Sequence, residues 1–170
     1  MIDPLLAADP KLRLRFATEI DTGLILEFIK ALAEYEKLAH EVVTNEESLR
    51  NSLFRGRKVA EVVIADYHDE PAGFALFFHN YSTFLGKPGL YLEDLFVKPA
   101  FRGNGIGREL LSCLARIAVD RGCGRLEWWV LDWNDTAIRF YKSFGGQPMD
   151  EWTVFRVSGD SLTRLAEMNE

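Results

Sequence analysis

Three strand-like segments follow one another closely in the middle of the chain, and this run limits the possible folds most. Val59 to Ala65 and Phe74 to Tyr81 are rich in β-branched and aromatic residues, and the sequence Asp69-Glu70-Pro71-Ala72-Gly73 between them is typical of a turn. Gly89 to Val97 is a third candidate strand, which ends at Lys98-Pro99 because proline lacks the backbone donor. Consecutive strands joined by tight turns predict a mixed sheet rather than a doubly wound parallel one.

The flanking segments alternate between strands and helices. Leu12 to Phe16 alternates in polarity and predicts a strand, and apolar residues spaced by three and four predict a helix from Leu24 to about Leu38. A shorter helix is expected after Thr44. We expect residues 1–10 to form a tail and 11–170 a single domain. The remaining predicted elements are a helix at Leu110–Val119, a strand at Arg125–Leu131, a helix at Asp135–Phe144, a strand at Trp152–Val157 and a helix at Asp160–Met168.

Composition excludes several classes of partner. The 170 residues carry a formal net charge of −6, so nucleic acid, which needs clustered Lys and Arg, is not an expected partner. The sequence has no long apolar run and no secretory leader, so we expect neither a membrane association nor an exported protein. Two cysteines form no disulfide framework, which favours a cytoplasmic location. The three histidines lack metal-ligand spacing, and no metal is expected.

A glycine-rich loop lies between a predicted strand and a predicted helix. Glycines in Arg102-Gly103-Asn104-Gly105-Ile106-Gly107 allow the backbone amides to approach a ligand, and the helix start adds unsatisfied N–H groups. The arrangement suits a pyrophosphate, with Arg102 and Arg108 as possible charge partners. It is not a Walker loop, because Arg108-Glu109 follows the last glycine. From spacing alone, a plain turn is an equally good interpretation.

Two motifs resemble those of one enzyme superfamily. Arg102-x-x-Gly105-x-Gly107 is similar to the signature of the GNAT N-acetyltransferases, and Asn134-x-x-Ala137-x-x-Phe140-Tyr141 is similar to their second block. The resemblance implies a GNAT α/β (α+β) fold, with a mixed, mostly antiparallel twisted sheet of about six to seven strands flanked by helices. It also implies acetyl-coenzyme A as co-substrate. The implied cofactor-binding residues are Leu95, Phe96, Val97, Arg102, Gly103, Asn104, Gly105, Ile106, Gly107, Arg108, Asn134, Thr136, Ala137 and Tyr141.

Two residues are the candidates for proton transfer. The resemblance makes Tyr141 the general acid, although its spacing to Phe140 and Phe144 would also suit core packing. Glu93 and Asp94 interrupt an apolar strand, and regular alternation places one carboxylate on each face. The resemblance makes Glu93 the general base near the acceptor amine and leaves Asp94 as a structural residue. Salt bridges at the strand edge are the alternative explanation of both acids.

Longer stretches, including residues 29–36 and 92–97, resemble the spermidine/spermine (diamine) acetyltransferases. This resemblance implies a small primary amine as acceptor, a diamine, a polyamine or a lysine-like amino acid, and a homodimer. Residues 146–151 form a shorter segment than in polyamine enzymes, which argues against long polyamines. A protein or peptide acceptor, or a non-catalytic acyl-coenzyme A sensor, are the competing functions. The implied acceptor residues are Tyr35, Glu36, Glu93, Trp128, Trp129 and Glu151, with Asp150 and Trp152 less strongly implied.

Overall fold

The predicted central strands form a sheet in the computed structural model, which describes Asp3 and residues 5–168. Within the part up to Leu131 the sheet has the order β1-β2-β3-β4-β5. The first four strands pair antiparallel, and β4 pairs with β5 in parallel, so the sheet is mixed as predicted. The strands are β1 (Leu12–Phe16), β2 (Glu61–Tyr67), β3 (Glu70–Ser82), β4 (Lys87–Val97) and β5 (Leu126–Trp128).

The turn between β2 and β3 lies earlier than predicted. Tyr67 pairs with Glu70, so His68 and Asp69 alone form the loop, with φ of 51° and 62°. Two positive φ values are the mark of the hairpin turn whose twist matches that of the strands, and aspartate is among the residues that tolerate them. The residues 70–73, expected in the turn, therefore belong to β3.

Three helices cover the two faces of this sheet. These helices are α1 (Thr22–Tyr35), α2 (Glu46–Leu53) and α3 (Ile106–Asp120). Phe28 of α1 stacks on Phe74 of β3 with ring centroids 5.1 Å apart, in a buried cluster that also includes residues of α2. Phe77 points to the opposite face, where Arg121 at the end of α3 lies over its ring. One β3 strand thus anchors helices on both faces.

Residues from Asp132 onward form a second unit with two helices, α4 (Asp135–Lys142) and α5 (Asp160–Ala166). The strand predicted at Trp152–Val157 is wrong, because no strand forms there in the described structure. Its aromatic and β-branched residues favour a strand, but strand stability comes from paired neighbours. The sheet therefore has five strands, fewer than the six to seven expected, and β5 is shorter than the predicted Arg125–Leu131. No described helix has the length and apolar character that a membrane crossing requires.

Candidate active site

The second half of β4 has a strand neighbour on one side only. β5 pairs with Leu90, Tyr91 and Leu92, and no described strand continues along that edge. From Glu93 to Val97 the strand keeps its β3 partner, while its other edge carries main-chain N–H and C=O groups without a ladder. Such an edge can pair with an extended, amide-containing ligand in the manner of an added strand. The implied ligand residues Leu95, Phe96 and Val97 all lie on it.

The glycine loop follows directly after this edge. A short 3₁₀ turn at Pro99–Phe101 leads into it, and Gly103 and Gly105 have φ of 84° and 76°, in the left-handed region that favours glycine. Helix α3 begins at Ile106 with no side-chain cap on its first amides. Those N–H groups and the positive end of the helix dipole form a site for an anion. The predicted loop residues 102–108 are therefore brought together around one helix start.

Arg102 connects the loop to the end of α1. Its Nε–H donates to the main-chain oxygen of Val97 at 3.0 Å, and its guanidinium lies 4.8 Å from the centre of the Tyr35 ring. A second ring, that of Phe96, is 5.9 Å away. Cation–π contacts of this kind hold a guanidinium in place. The predicted cofactor residue Arg102 and the predicted acceptor residue Tyr35 are thus in contact, which the sequence did not indicate.

Glu93 and Asp94 lie at an irregularity in β4. Leu76 pairs with Asp94 but Phe77 pairs with Leu92, so Glu93 is an extra residue in the ladder. Bulges of this type redirect side chains and are frequent beside active sites. The regular alternation that predicted one carboxylate on each face is therefore interrupted, and Glu93 is exposed while Asp94 is half-buried.

Among the described carboxyl groups, that of Asp94 has the pKa that departs most from its ordinary value. Burial raises its pKa to about 7, and the neighbouring charges of Glu93 and Glu36 add to the effect. Burial also raises the pKa of Glu36, at the end of α1. The three acids form one cluster beside the open edge of β4. The sequence analysis missed the role of Asp94, and the only signal for it was its position next to Glu93.

A row of aromatic rings includes Tyr91, which lies two residues before Glu93 on β4. Phe78 and Tyr91 pair across β3 and β4 with ring centroids 5.0 Å apart, and Tyr91 meets Trp129 edge-to-face at 5.8 Å. Trp129 was an implied acceptor residue, as was half-buried Trp128 of β5. Phe78 and Tyr91 were not singled out, although the aromatic run from Phe74 to Tyr81 was visible in the sequence.

The other predicted residues lie in the second unit. Asn134 is buried and caps α4, because its Oδ1 accepts a hydrogen bond from the amide of Ala137 at 3.2 Å. Tyr141 is half-buried and lies edge-to-face on Phe140 at 5.3 Å, the aromatic packing that its spacing suggested. Thr136 and Glu151 are exposed.

A model of the acetyltransferase (GNAT) family matches residues 27–145. The chain belongs to this family. It is 39% identical over 164 residues to a thialysine N-epsilon-acetyltransferase of Bos taurus, covering 90% of this chain and 96% of that protein. It is 30% identical over 164 residues to a human spermidine/spermine N(1)-acetyltransferase-like protein 1, covering 91% of this chain and 24% of that protein. An integron cassette protein of V. cholerae shares the fold with a TM-score of 0.79 at 28% identity, covering 94% and 99% of the two chains.

Membership of the family confirms the resemblance stated from the motifs. The protein is an N-acetyltransferase with the α/β fold of its relatives. Members of this family use acetyl-coenzyme A as co-substrate. The open edge of β4 and the uncapped start of α3 suit that molecule, because one offers ladder groups to its amide-containing arm and the other offers amides to its pyrophosphate.

Proposed function

We propose that this enzyme transfers an acetyl group from acetyl-coenzyme A directly to a primary amine of a small molecule, through a ternary complex of both substrates. The acceptor is a diamine, a polyamine or a lysine-like amino acid. The observation that carries the proposal is the cluster of Glu36, Glu93 and Asp94 beside the open edge of β4. The names of the thialysine and spermidine/spermine relatives support an acceptor of this class.

Acetyl-coenzyme A supplies the acyl group as a reactive thioester when it is bound. We assign its pyrophosphate to the amides of residues 103–108 and its amide-containing arm to the edge formed by residues 95–97. An amide of that edge is also the donor proposed for the oxygen that becomes negatively charged during transfer. Asn134, Thr136 and Ala137 are proposed as further cofactor contacts from the second unit.

The acidic cluster is the proposed site of the amine. Carboxylates and aromatic faces both stabilise an alkyl-ammonium ion, and Tyr35, Trp128 and Trp129 supply the aromatic part. Glu151 is proposed as an additional acid from the second unit. Burial, and after it the charges of Glu93 and Glu36, raises the pKa of Asp94, so a cation bound beside these acids would favour their ionised forms. A cationic substrate fits this arrangement.

Glu93 is the proposed general base, acting through water on the ammonium group. An exposed carboxylate at a bulge can reach solvent and substrate together. Asp94 complements it, because a carboxyl with a pKa of about 7 exchanges protons readily near neutral pH. We therefore extend the assignment made from the sequence from Glu93 alone to the pair, with Asp94 retaining or releasing a proton as the amine arrives.

Tyr141 is the proposed general acid, whose Oη donates a proton to the leaving sulfur. Tyr141→Phe removes only that hydroxyl and keeps the ring contact with Phe140. We expect kcat to fall by about 100-fold, within the usual range for a general acid. Tyr81→Phe, at an exposed tyrosine of β3, is the matched control and should leave kcat unchanged. Unchanged turnover in Tyr141→Phe would remove Tyr141 from this role.

The C-terminal segment supports the proposal of a homodimer. Trp152 and Phe155 are 70% and 91% exposed, and the predicted strand around them has no partner within the described chain. A second copy of the chain is the proposed partner, and light scattering should give twice the mass of the chain.

A cytoplasmic location is proposed from the two free thiols, Cys113 and Cys123.

The test of the overall proposal is acetyl-coenzyme A-dependent thiol release with a panel of amines. The panel contains putrescine, spermidine, spermine, lysine, thialysine and a lysine-containing peptide. Turnover of at least one free amine, lost in Glu93→Gln, supports the proposal. Turnover of the peptide alone would favour the competing protein acceptor. Tight cofactor binding without turnover of any amine would favour the acyl-coenzyme A sensor.

A further inference from the structure

A cleft of about 640 Å³ opens at the end of the sheet where β2 begins. Its volume is in the ordinary range for a small-molecule site. β3 continues to Ser82 beyond the first residue of β2, and the loop from α2 to β2 borders the space that this leaves. The lining includes three aromatic rings and three basic side chains: Phe16, Phe54, Phe78, Arg57, Lys58 and His79.

The charge of this cleft is opposite to that of the acidic cluster. Arg57 and Lys58 are exposed, and neither lies within ion-pair distance of an acid in the described residues. The one acid in the lining, Glu61, already binds Arg121, whose Nη2 donates to Glu61 Oε2 at 2.9 Å. That pairing lowers the pKa of Glu61, to which Lys58 and His79 contribute more weakly. The cleft therefore offers two cations, Arg57 and Lys58, neither of which forms an ion pair with a described acid.

Phe78 belongs both to this cleft and to the aromatic row of Phe78, Tyr91 and Trp129. Glu93 follows Tyr91 by two residues on β4. With a rise of about 3.3 Å per residue and about 4.8 Å between strands, Phe78 lies roughly 8 Å from Glu93 along the sheet. The extended chain from the side-chain amine of lysine to its carboxylate is also about 8 Å long. A lysine-sized molecule is therefore long enough to reach from Glu93 to Phe78, which lines the cleft.

We propose that this cleft binds the amino-acid end of the acceptor, with Arg57 and Lys58 holding its α-carboxylate, so that the enzyme selects lysine-like amino acids over diamines. The inference rests on the proposed function, which it narrows. The methylene chain lies along Phe78 and Tyr91, and the aromatic faces of the cleft accommodate the α-ammonium group. The carboxylate of the amino acid offsets the charge of its α-ammonium group, whereas a diamine or polyamine presents an uncompensated cation, which Arg57 and Lys58 repel.

The experiment compares acceptors that differ in the carboxylate alone. Lysine is paired with cadaverine, and thialysine with its decarboxylated analogue, in the wild-type enzyme and in Arg57→Ala/Lys58→Ala. We expect the wild-type enzyme to favour the amino acid in kcat/KM, and the double variant to lose about tenfold on the amino acid with little change on the diamine. Arg57→Glu/Lys58→Glu should reverse the preference. Arg55→Ala is the matched control, since Arg55 is in the same loop, pairs with Glu19 and does not line the cleft.

If the ratio of kcat/KM for lysine to kcat/KM for cadaverine is the same in the wild type and the double variant, the inference is overturned, while the proposed function stands. Calorimetric measurement of thialysine binding distinguishes a failure of the cleft inference from a failure of the proposed function. Binding that depends on Arg57 and Lys58, without turnover of any amine, would support the cleft and reject the proposed function. Absence of both turnover and such binding would overturn both.

Discussion

The two halves of β4 contrast in almost every physical respect. Leu90 and Leu92 are fully buried between β3 and β5, with hydrogen-bond partners on both sides. At the next residue, Glu93, the strand bulges and β5 has ended, and the exposed Glu93 and half-buried Asp94 replace the leucines. The same strand is therefore paired on both sides at one end and open on one side at the other, where Phe96 still packs in the core. The rigid half holds the open half in a defined position, which a site for two substrates requires.

The contrast predicts that neighbouring residues of β4 contribute either to stability or to activity, according to the half in which they lie. Changes in the paired half should lower stability more than chemistry, and changes in the open half should lower activity with little loss of stability. Natural proteins often place acids and unpaired backbone at functional sites although this costs stability. Substitutions at three positions of β4, and at one position of the loop that follows, test whether the strand is divided in this way.

The largest effect is expected from Glu93→Gln in the open half. Loss of the proposed base should lower kcat/KM for a free amine by at least about 100-fold, with a thermal midpoint close to that of the wild type. Initial rates of thiol release and a melting curve measure both. Glu70→Gln, at another exposed acid of the sheet, is the control and should change neither. A large drop in the melting temperature of Glu93→Gln would contradict the division of β4, because the open half would then also contribute to stability.

Leu92→Ala tests the paired half. Leu92 is 2% exposed, and its truncation should lower the free energy of unfolding by about 3 kcal/mol through lost burial and a cavity. At a temperature where the variant remains folded, kcat should stay within about threefold of the wild type. Urea unfolding provides the first value and initial rates the second. If kcat falls as far as in Glu93→Gln, the paired half is not merely a support.

Asp94→Asn probes the boundary between the halves through pH. Well below pH 4 the carboxyl is protonated in both the folded and the unfolded chain. Between about pH 4 and 7 the unfolded chain ionises while the folded chain, with its pKa raised to about 7, keeps the proton, so stability falls as pH rises. Asparagine removes this loss, so the free energy of unfolding of the variant should exceed that of the wild type by a few kcal/mol at pH 8, since each unit of pKa shift corresponds to about 1.4 kcal/mol.

Urea unfolding at pH 4 and pH 8 measures the Asp94→Asn difference, which should nearly vanish at pH 4. Asp120→Asn, at the exposed end of α3, supplies the matched control and should show no such pH dependence. Equal stability of Asp94→Asn and the wild type at pH 8 would mean that the acidic cluster imposes no cost on the fold.

The smallest effect is expected at Gly105, in the loop that follows the open half. Alanine at φ of 76° is strained, at about 1 kcal/mol, although a Cβ there meets no atom within 4 Å. Gly105→Ala should therefore lower stability modestly and raise the KM for acetyl-coenzyme A, while Gly105→Asn, which tolerates this conformation, should lose less. If the KM for acetyl-coenzyme A is the same in the wild type, Gly105→Ala and Gly105→Asn, the loop does not contribute to cofactor binding.

Residues close in sequence account for most of what could be predicted. The strand–turn–strand run, the glycine loop and the apolar spacing of α1 and α3 depend on local preferences, and each appeared in the structure. The predicted strand at Trp152–Val157 failed because aromatic and β-branched composition supplies a tendency, whereas pairing needs a neighbour. The turn at His68–Asp69 was displaced because two positive φ values, rather than the nearby Pro and Gly, define that hairpin.

By itself, the sequence indicated the family and the reaction type through the resemblance of its motifs, and the glycine loop through residue types at fixed short spacings. The role of Glu93 stays a prediction. Only the tertiary structure decided that β5 ends at Trp128, that Glu93 forms a bulge, that Asp94 and Glu36 share one acidic cluster, and that Arg102 lies on Tyr35. These features join residues far apart in the chain. Their burial and charge depend on which elements pack together, which local spacing does not specify.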